Sequence, residues 1–263
     1  MAAPAWARVE VLPEAASTNA VVTERAQQGA EHGLVVVADH QTAGRGRLGR
    51  TWVTPPGAAL TFSVLVRPGQ LGPGADSRSW PLLPLMTGVA VAEGLEAGGA
   101  PRCALKWPND VMDGDLKLGG LLAERVETPS GPAAVLGVGV NVSTLPGELP
   151  VPTATSLLLG GAAGLDRGRL LLCVLDCLGE RLQQWARGDE HNLLEDYRAR
   201  CSTLGRVVRV DLPGGTTHTG TAVRVDKNGA LVLRDGPRGA RETTVSAGDV
   251  LHVRPADEPT EVE

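Results

Sequence analysis

The chain has 263 residues, a hydrophobic fraction of 42% and a formal net charge of −5 at pH 7. This length suffices for one large domain or for one medium-sized and one small domain. The negative charge argues against general nucleic-acid binding, and no apolar run approaches the ~20 residues of a membrane helix. Residues 1–7 lack the basic and apolar regions of a signal peptide, so we expect a cytoplasmic protein without nucleic-acid or membrane partners.

The first three quarters of the chain predict a mixture of strands and helices. A strand is predicted at 7–12, and Ser17, Thr18 and Asn19 offer N-cap groups for a helix that ends near Gly29. Further strands are predicted at 34–38, 60–66, 104–107, 116–124 and 133–142. The glycine-containing turn at 113–115 predicts that the strands at 104–107 and 116–124 form a hairpin. Further helices are predicted at about 82–97, at 166–186 and around Tyr197.

After Leu204 the pattern changes to short strands separated by tight turns. Five such strands are predicted, at 206–211, 220–226, 230–234, 242–245 and 250–254. Runs this short indicate a small β-barrel, and the acidic, proline-containing end of the chain is predicted to be disordered. We therefore expect a mixed domain over residues 1–203, a barrel over 204–255 and a disordered tail over 256–263.

The basic residues are almost all arginine, which makes the few lysines informative. Only Lys106, Lys117 and Lys227 occur, and the first two lie in motifs described below. A plain surface cation in this chain is usually an arginine, so a lysine indicates a specific role. The four cysteines form no CxxC pair and are predicted to be reduced thiols rather than metal ligands.

A loop rich in glycine and arginine, residues 42–50, follows the second predicted strand and is called the arginine loop below. It contains GRGRLG, which matches the dinucleotide fingerprint GxGxxG, but that fingerprint requires a helix directly afterwards. Residues 51–57 instead carry two prolines, and no kinase HRD or DFG sequence follows. Arg45, Arg47 and Arg50 are suited to holding an anion with several forked donors, a solvated surface loop being the alternative.

Five segments, in this order along the chain, resemble those of the biotin–protein ligases. They are STN at 17–19, QTAGRGRLGRTW at 41–52, KWPND at 106–110, KLGGL at 117–121 and GVGVN at 137–141. The resemblance extends over nearly the whole chain. It implies an α+β fold, with a mixed sheet and helices related to class II synthetase catalytic domains, followed by an SH3-like β-barrel.

The resemblance also implies an enzyme that attaches biotin to protein in two steps. The biotin carboxylate attacks the α-phosphate of ATP, and a lysine of a biotin carboxyl carrier protein then displaces AMP from biotinyl-AMP. ATP is expected to act with Mg²⁺, without a tightly bound cofactor and without direct protein ligands to a metal. Repressor-type members carry an N-terminal helix-turn-helix, which we do not expect here. The oligomeric state stays open, with a weak homodimer as one option.

The motif residues divide according to the chemistry of the two substrates, because a ureido group requires fixed neutral partners and phosphates require cations. The predicted biotin-binding residues are Ser17, Thr18, Asn19, Gln41, Gly44, Arg45, Gly46, Arg47, Lys117, Gly120 and Gly137. The predicted ATP-binding residues are Arg47, Arg50, Trp52, Lys106, Asn109, Lys117 and Asn141. Packing alone is the alternative for the glycines and for Trp52, and a plain helix cap is the alternative for Ser17 and Thr18.

Lys117 and Arg47 are predicted to be catalytic. A carboxylate and a triphosphate repel each other, so their reaction requires positive charge that contacts both anions. The compact ammonium of Lys117 meets this requirement, and Arg47 is predicted to hold phosphate oxygens. Asp110 is predicted to orient the acceptor lysine or to bind Mg²⁺ through water, with a turn-forming role as the alternative. Lys106 either lies near the phosphates or pairs with Asp110.

Three other functions are compatible with parts of the sequence. A lipoate–protein ligase shares the fold and the adenylation step, but GRGRLGR together with KWPND favours biotin. A non-catalytic arginine-rich binding protein is disfavoured by the negative net charge and by the position of the arginines among glycines. A biotin-responsive regulator is disfavoured because no DNA-binding domain is predicted.

Overall fold

The structure is a computed structural model that describes residues 6–72, 74–75, 78–162, 164–212, 214–235, 241–246 and 248–252. The predicted tail, residues 256–263, lies outside the described residues. Two main sheets form, one of seven strands and one of five, together with a two-stranded ribbon. None of the helices in the described ranges is long and apolar enough to span a membrane.

The seven-stranded sheet forms from the first half of the chain. In chain order, the strands of this half are β1 (Arg8–Ala15), β2 (Leu34–Gln41), β3 (Gly44–Arg45), β4 (Thr51–Trp52), β5 (Ala59–Val66), β6 (Ala104–Lys106), β7 (Asp110–Asp113), β8 (Leu116–Val126) and β9 (Ala133–Asn141). The sheet has the order β1-β2-β5-β9-β8-β7-β6, and β3 and β4 form the separate ribbon. Only β1 and β2 are parallel among its neighbouring pairs in the described chain. Strands β5 and β9 are buried along their whole length, as expected for strands covered on both faces.

Four α-helices in the described residues cover this sheet: α1 (Thr18–Gln27), α2 (Leu83–Ala97), α3 (Arg167–Ala186) and α4 (Glu190–Arg200). Helix α1 packs Val22 and Ala26 against Leu65 and Val135 on one face. Helices α2 and α3 pack on the other face. The apolar stripe predicted for α3 is buried as expected, and it comprises Leu171, Leu175, Leu178, Leu182 and Trp185.

The predicted strands and helices are present, with ends that differ by a few residues. The predicted hairpin between 104–107 and 116–124 is wrong, because an additional strand, β7, lies between β6 and β8 and pairs with both. The KWPND motif contains a tight turn, in which the Trp107–Pro108 bond is cis. Lys106 on β6 and Asp110 on β7 are register partners on either side of this turn. Three strands therefore occupy the region in which two were predicted. The four cysteines are free thiols, as predicted, and Cys103 and Cys201 are buried.

The second sheet is built from the C-terminal strands that the sequence predicts. These are β10 (Val207–Asp211), β11 (Thr217–Val225), β12 (Leu231–Asp235), β13 (Arg241–Val245) and β14 (Asp249–His252), in the order β13-β12-β11-β10-β14. The sheet shares an apolar cluster with α2, and Trp107 donates its indole N–H to the carbonyl of Gly229 at 2.9 Å. The predicted boundary near residue 203 thus separates two sheets that share one core.

Candidate active site

A cavity of about 990 Å³ opens between the seven-stranded sheet, the arginine loop and strand β14. With the exception of Gly44, the predicted site residues line it: Ser17, Thr18, Asn19, Gln41, Arg45, Gly46, Arg47, Arg50, Trp52, Lys106, Asn109, Asp110, Lys117, Gly120, Gly137 and Asn141. Gly44 pairs with Trp52 in the ribbon, where an added Cβ would lie 2.4 Å from the Trp52 carbonyl oxygen. Gly44 therefore allows two strands to approach each other and does not line the cavity.

One end of the cavity, at the start of α1, presents neutral polar groups. Thr18 donates to Oε1 of Gln41 from its backbone nitrogen at 2.8 Å and from Oγ1 at 3.1 Å. These contacts orient Gln41 and leave its Nε2 as a donor. Ser17 occupies the N-cap position but makes no side-chain capping bond, so the plain-cap interpretation does not account for its hydroxyl.

Asn19 is buried beside this end and is engaged with protein groups. Its Oδ1 lies 2.6 Å from Oγ of Ser63, and its Nδ2 donates to Oε2 of Glu124 at 2.6 Å. Ser63 also lies 2.7 Å from Oγ1 of Thr18. An added Cβ at Gly137 would lie 2.2 Å from Oδ1 of Asn19. Asn19 and Gly137 therefore build the wall together, and Ser63, which the sequence analysis missed, joins Asn19 to Thr18.

Cationic side chains gather at the other end of the cavity. Nζ of Lys117 lies 2.6 Å from Oδ1 of Asp110. Lys106 is the register partner of Asp110 and feels its charge, while the carboxylate of Asp110 makes its close ion pair with Lys117. Burial lowers the pKa of Lys106; the charge of Asp110 opposes this effect and that of Lys117 adds to it.

A segment that the sequence analysis missed holds the backbone of Lys117. Its nitrogen donates to the carbonyl of Thr153 at 2.7 Å, and its carbonyl accepts from the nitrogen of Thr155 at 2.8 Å. Asn141 is 4% exposed and donates its Nδ2 to the carbonyl of Thr155 at 2.9 Å. The amide of Asn141 thus stabilises the segment that positions Lys117.

The arginines of the arginine loop have different partners. Arg45 lies 3.5 Å from Glu124, towards the neutral end. Arg47 donates to Oδ1 of Asn109 at 3.3 Å and is therefore turned towards the cationic end. Leu48 has a φ of 55°, a left-handed conformation that is uncommon outside glycine. The chain reverses at this residue, and Arg50 then reaches strand β14.

Strand β14 forms a wall of the cavity and contains none of the residues predicted for the site. Arg206 lies 2.7 Å from Oδ1 of Asp115 and 3.2 Å from Nδ1 of His252. Burial and the charges of Lys106 and Arg206 lower the pKa of His252 to about 4. His252 is therefore neutral at pH 7 and does not add to the positive charge of this wall.

The indole of Trp52 lies against the middle of the cavity floor. Added Cβ atoms would lie 2.6 Å from its Cε2 at Gly139 and 3.8 Å from its Cζ3 at Gly120. These glycines are register partners on β9 and β8. Nε1 of Trp52 is buried and has no hydrogen-bond partner among the described groups. The floor glycines thus make room for a protein side chain.

Residues 11–141 match the model of the Biotin/lipoate A/B protein ligase family. The chain is 43% identical to the biotin–[acetyl-CoA-carboxylase] ligase of Mycobacterium tuberculosis, over 95% of this chain and 90% of that protein. The chain belongs to the biotin–protein ligase family. A second ligase of this family, from Paracoccus denitrificans, is 34% identical over 85% of this chain and 92% of that protein.

A solved structure agrees with this membership in the biotin–protein ligase family. The biotin protein ligase of Aquifex aeolicus in complex with biotin and ATP matches with a TM-score of 0.79 and 28% identity. The match covers 94% of this chain and 100% of that chain. The predicted fold, a mixed α+β sheet with helices followed by an SH3-like β-barrel, is confirmed, and the C-terminal part is the five-stranded antiparallel sheet.

We expect Gly139→Ala to weaken the binding of biotin because the added methyl group displaces the indole of Trp52. Overpacking of this kind costs about 1–3 kcal/mol. The measurement is biotin affinity by calorimetry, together with thermal unfolding. Gly69→Ala is the matched control, since no atom lies within 4 Å of a Cβ added there. Unchanged biotin affinity in a folded Gly139→Ala protein would contradict the expectation that the indole of Trp52, as placed by Gly139, forms part of the biotin-binding surface.

Proposed function

We propose that the chain uses ATP to activate biotin as biotinyl-AMP and transfers the biotinyl group to a lysine of a biotin carboxyl carrier protein. One observation supports this proposal above all: a single cavity has a neutral end and a cationic end, joined by a floor of glycines. On β9, Asn19 lies beside Gly137 and Trp52 lies on Gly139, and across the sheet the register partner of Gly139, Gly120 on β8, lies beside Lys117. This order matches the order of ureido group, apolar ring and carboxylate in biotin.

Ser17, Thr18 and Gln41 are proposed to bind the ureido group. A ureido oxygen accepts hydrogen bonds and its nitrogens donate them, so hydroxyl and amide groups with fixed orientation are suitable partners. The bonds from Thr18 to Gln41 provide that fixed orientation. A lipoyl group lacks these hydrogen-bonding atoms, and a site with unpaired buried polar groups would therefore discriminate against it.

The first reaction step is proposed to occur beside Lys117. A biotin carboxylate oxygen attacks the α-phosphorus of ATP, and the bond to the pyrophosphate oxygen breaks. The Lys117 ammonium stabilises the charge on the carboxylate and on the α-phosphate as they approach. Arg47, Arg50 and Lys106 are proposed to hold the leaving phosphates.

In the second step the amine of the acceptor lysine attacks the carbonyl carbon of biotinyl-AMP, and AMP leaves. The carbonyl carbon of biotinyl-AMP is the carbon of the former biotin carboxylate, which Lys117 contacts in the first step. The acceptor amine must therefore approach the same place beside Lys117. Asp110 lies 2.6 Å from Nζ of Lys117 and is proposed to orient the incoming amine. His252 is neutral at pH 7 and therefore adds no charge to the path of the incoming amine.

Mg²⁺ is proposed to enter with ATP as part of the substrate. The described residues contain no cluster of three or more His, Cys, Asp or Glu side chains that could hold a metal ion. The three carboxylates of the described chain that line the cavity are paired with cations, Asp110 with Lys117, Asp115 with Arg206 and Asp249 with Arg50. This donor set fits a Mg²⁺ ion that keeps its phosphate and water ligands, as the ion commonly does with nucleotides.

The test of the proposed function is the exchange of labelled pyrophosphate into ATP by the purified protein with Mg²⁺. Exchange that requires biotin, and that lipoate does not support, is the expected result. Lipoate-dependent exchange would favour a lipoate ligase. Absence of exchange with both acids, from folded protein, would remove the proposed catalytic roles of Lys117 and Arg47. Transfer to an isolated carrier domain then tests the second step.

A further inference from the structure

The side chains of two arginines in the arginine loop contact adjacent residues at the start of β14. Arg47 donates from a terminal nitrogen to the carbonyl of Gly248 at 3.2 Å, and Arg50 forms an ion pair with Asp249. The side chain of Asp249 is 20% exposed, whereas that of Arg50 is 63% exposed. The carboxylate of Asp249 is therefore held more firmly by its surroundings than the guanidinium of Arg50.

The sheet fixes the position of this contact point. Asp249 begins β14 and is the register partner of Asp211 on β10. A Cβ added at Gly248 would lie 2.6 Å from Cγ1 of Val210, so the glycine lets this segment pack directly on β10. In contrast, no residue of the turn Arg47–Gly49 is buried. A firmly held strand edge thus contacts a loop with little packing of its own.

The charge of Asp249 also reaches Arg47. Burial lowers the pKa of Arg47, and the charges of Asp249 and Asp110 oppose that effect. Asp249 thus stabilises the charged form of a guanidinium at a place where burial disfavours it.

We propose that Asp249, together with the carbonyl of Gly248, holds the arginine loop against the C-terminal sheet and is a positioning residue for Arg47 and Arg50. This inference rests on the proposed function for the identity of the anion, the phosphates of ATP. A guanidinium carries five N–H donors, and the contacts to Gly248 and Asp249 engage one nitrogen of each arginine. Donors therefore remain for phosphate oxygens, and a loop ordered beforehand loses less entropy on binding.

The test compares wild type with Asp249→Asn, which removes the charge and keeps the shape. KM for ATP in biotin-dependent pyrophosphate exchange should rise about two- to fivefold, the range expected for an exposed ion pair, with kcat unchanged. Cleavage by trypsin after Arg45, Arg47 and Arg50, identified by mass spectrometry without nucleotide, should become faster. Asp249→Glu should restore both properties in part, since it retains the carboxylate.

Glu242→Gln is the matched control. Glu242 lies on β13 of the same sheet and pairs with Arg224 at 2.7 Å and Arg234 at 3.1 Å, away from the cavity lining. It should change neither KM nor loop cleavage. A lower KM in Asp249→Asn would overturn the inference, because Asp249 would then compete with phosphate for Arg50. Unchanged KM and cleavage would also overturn it. If wild type shows no exchange, the proposed function fails, and the cleavage comparison still decides the positioning role.

Discussion

Replacement of Lys117 by alanine should slow biotinyl-AMP formation by about 2–4 kcal/mol of transition-state stabilisation, on the order of 30- to 1000-fold. The ammonium is the cation that contacts Asp110 at 2.6 Å, and its backbone is held on both sides by Thr153 and Thr155. The variant also leaves the Asp110 carboxylate without its partner, which further disfavours the approach of two anions. The measurement is biotin-dependent pyrophosphate exchange at saturating ATP.

Lys227→Ala is the matched control for this variant. Lys227 is exposed in the turn between β11 and β12, and it does not line the cavity. Its replacement should leave the exchange rate unchanged. Thermal unfolding of both variants separates a catalytic effect from loss of fold. An exchange rate close to wild type in folded Lys117→Ala would contradict the assignment of Lys117 as the catalytic cation.

Gly137→Ala should both destabilise the fold and abolish tight biotin binding. The added methyl group would lie 2.2 Å from Oδ1 of Asn19. Asn19 cannot move away without losing its bonds to Ser63 and Glu124. Overpacking at such a rigid position costs about 1–3 kcal/mol of the free energy of unfolding. Urea denaturation measures that loss, and biotin titration measures the second effect.

Gly147→Ala supplies the matched control, because a Cβ at Gly147 meets no atom within 4 Å. It should change neither the free energy of unfolding nor biotin affinity. The double variant Asn19→Ala with Gly137→Ala removes the clash, so it should be more stable than two independent losses predict. Strictly additive losses in the double variant would show that the contact between Asn19 and Gly137 is not the cause.

Much of the architecture follows from local sequence patterns, and the exceptions have identifiable causes. The α3 stripe and the five C-terminal strands have strong periodicity or turn signals, and both are found as predicted. Strand β7 was missed because a tight turn inside KWPND reverses the chain within four residues. Periodicity cannot reveal so short a strand.

With the exception of Gly44, the residues predicted for the site gather at one cavity because β8 and β9 are neighbours in the sheet and α1 packs against β9. Three contributors had no sequence signal that singled them out. The segment at Thr153–Thr155 acts through backbone hydrogen bonds, which leave no side-chain pattern. Ser63 is one small residue in a fully buried strand, and Asp249 belongs to a short strand far away in the chain.

Glycine illustrates the limit of such predictions most clearly. A glycine in a strand indicates that something approaches closely, but the sequence does not say what approaches. At Gly44 it is the Trp52 backbone, at Gly137 it is Asn19, and at Gly139 it is the indole of Trp52. Each of these glycines shapes the cavity through a protein group.

Trp107 has a consequence for how the enzyme loses its structure. Its chain neighbours face the cavity, whereas its indole donates to Gly229, and one apolar cluster runs from α2 into β10, β11 and β12. Separation of the C-terminal sheet would expose the core directly beneath KWPND and would remove the wall formed by β14. We therefore expect folding of the two sheets to be coupled, so that urea denaturation shows one cooperative transition and residues 1–203 alone show no activity.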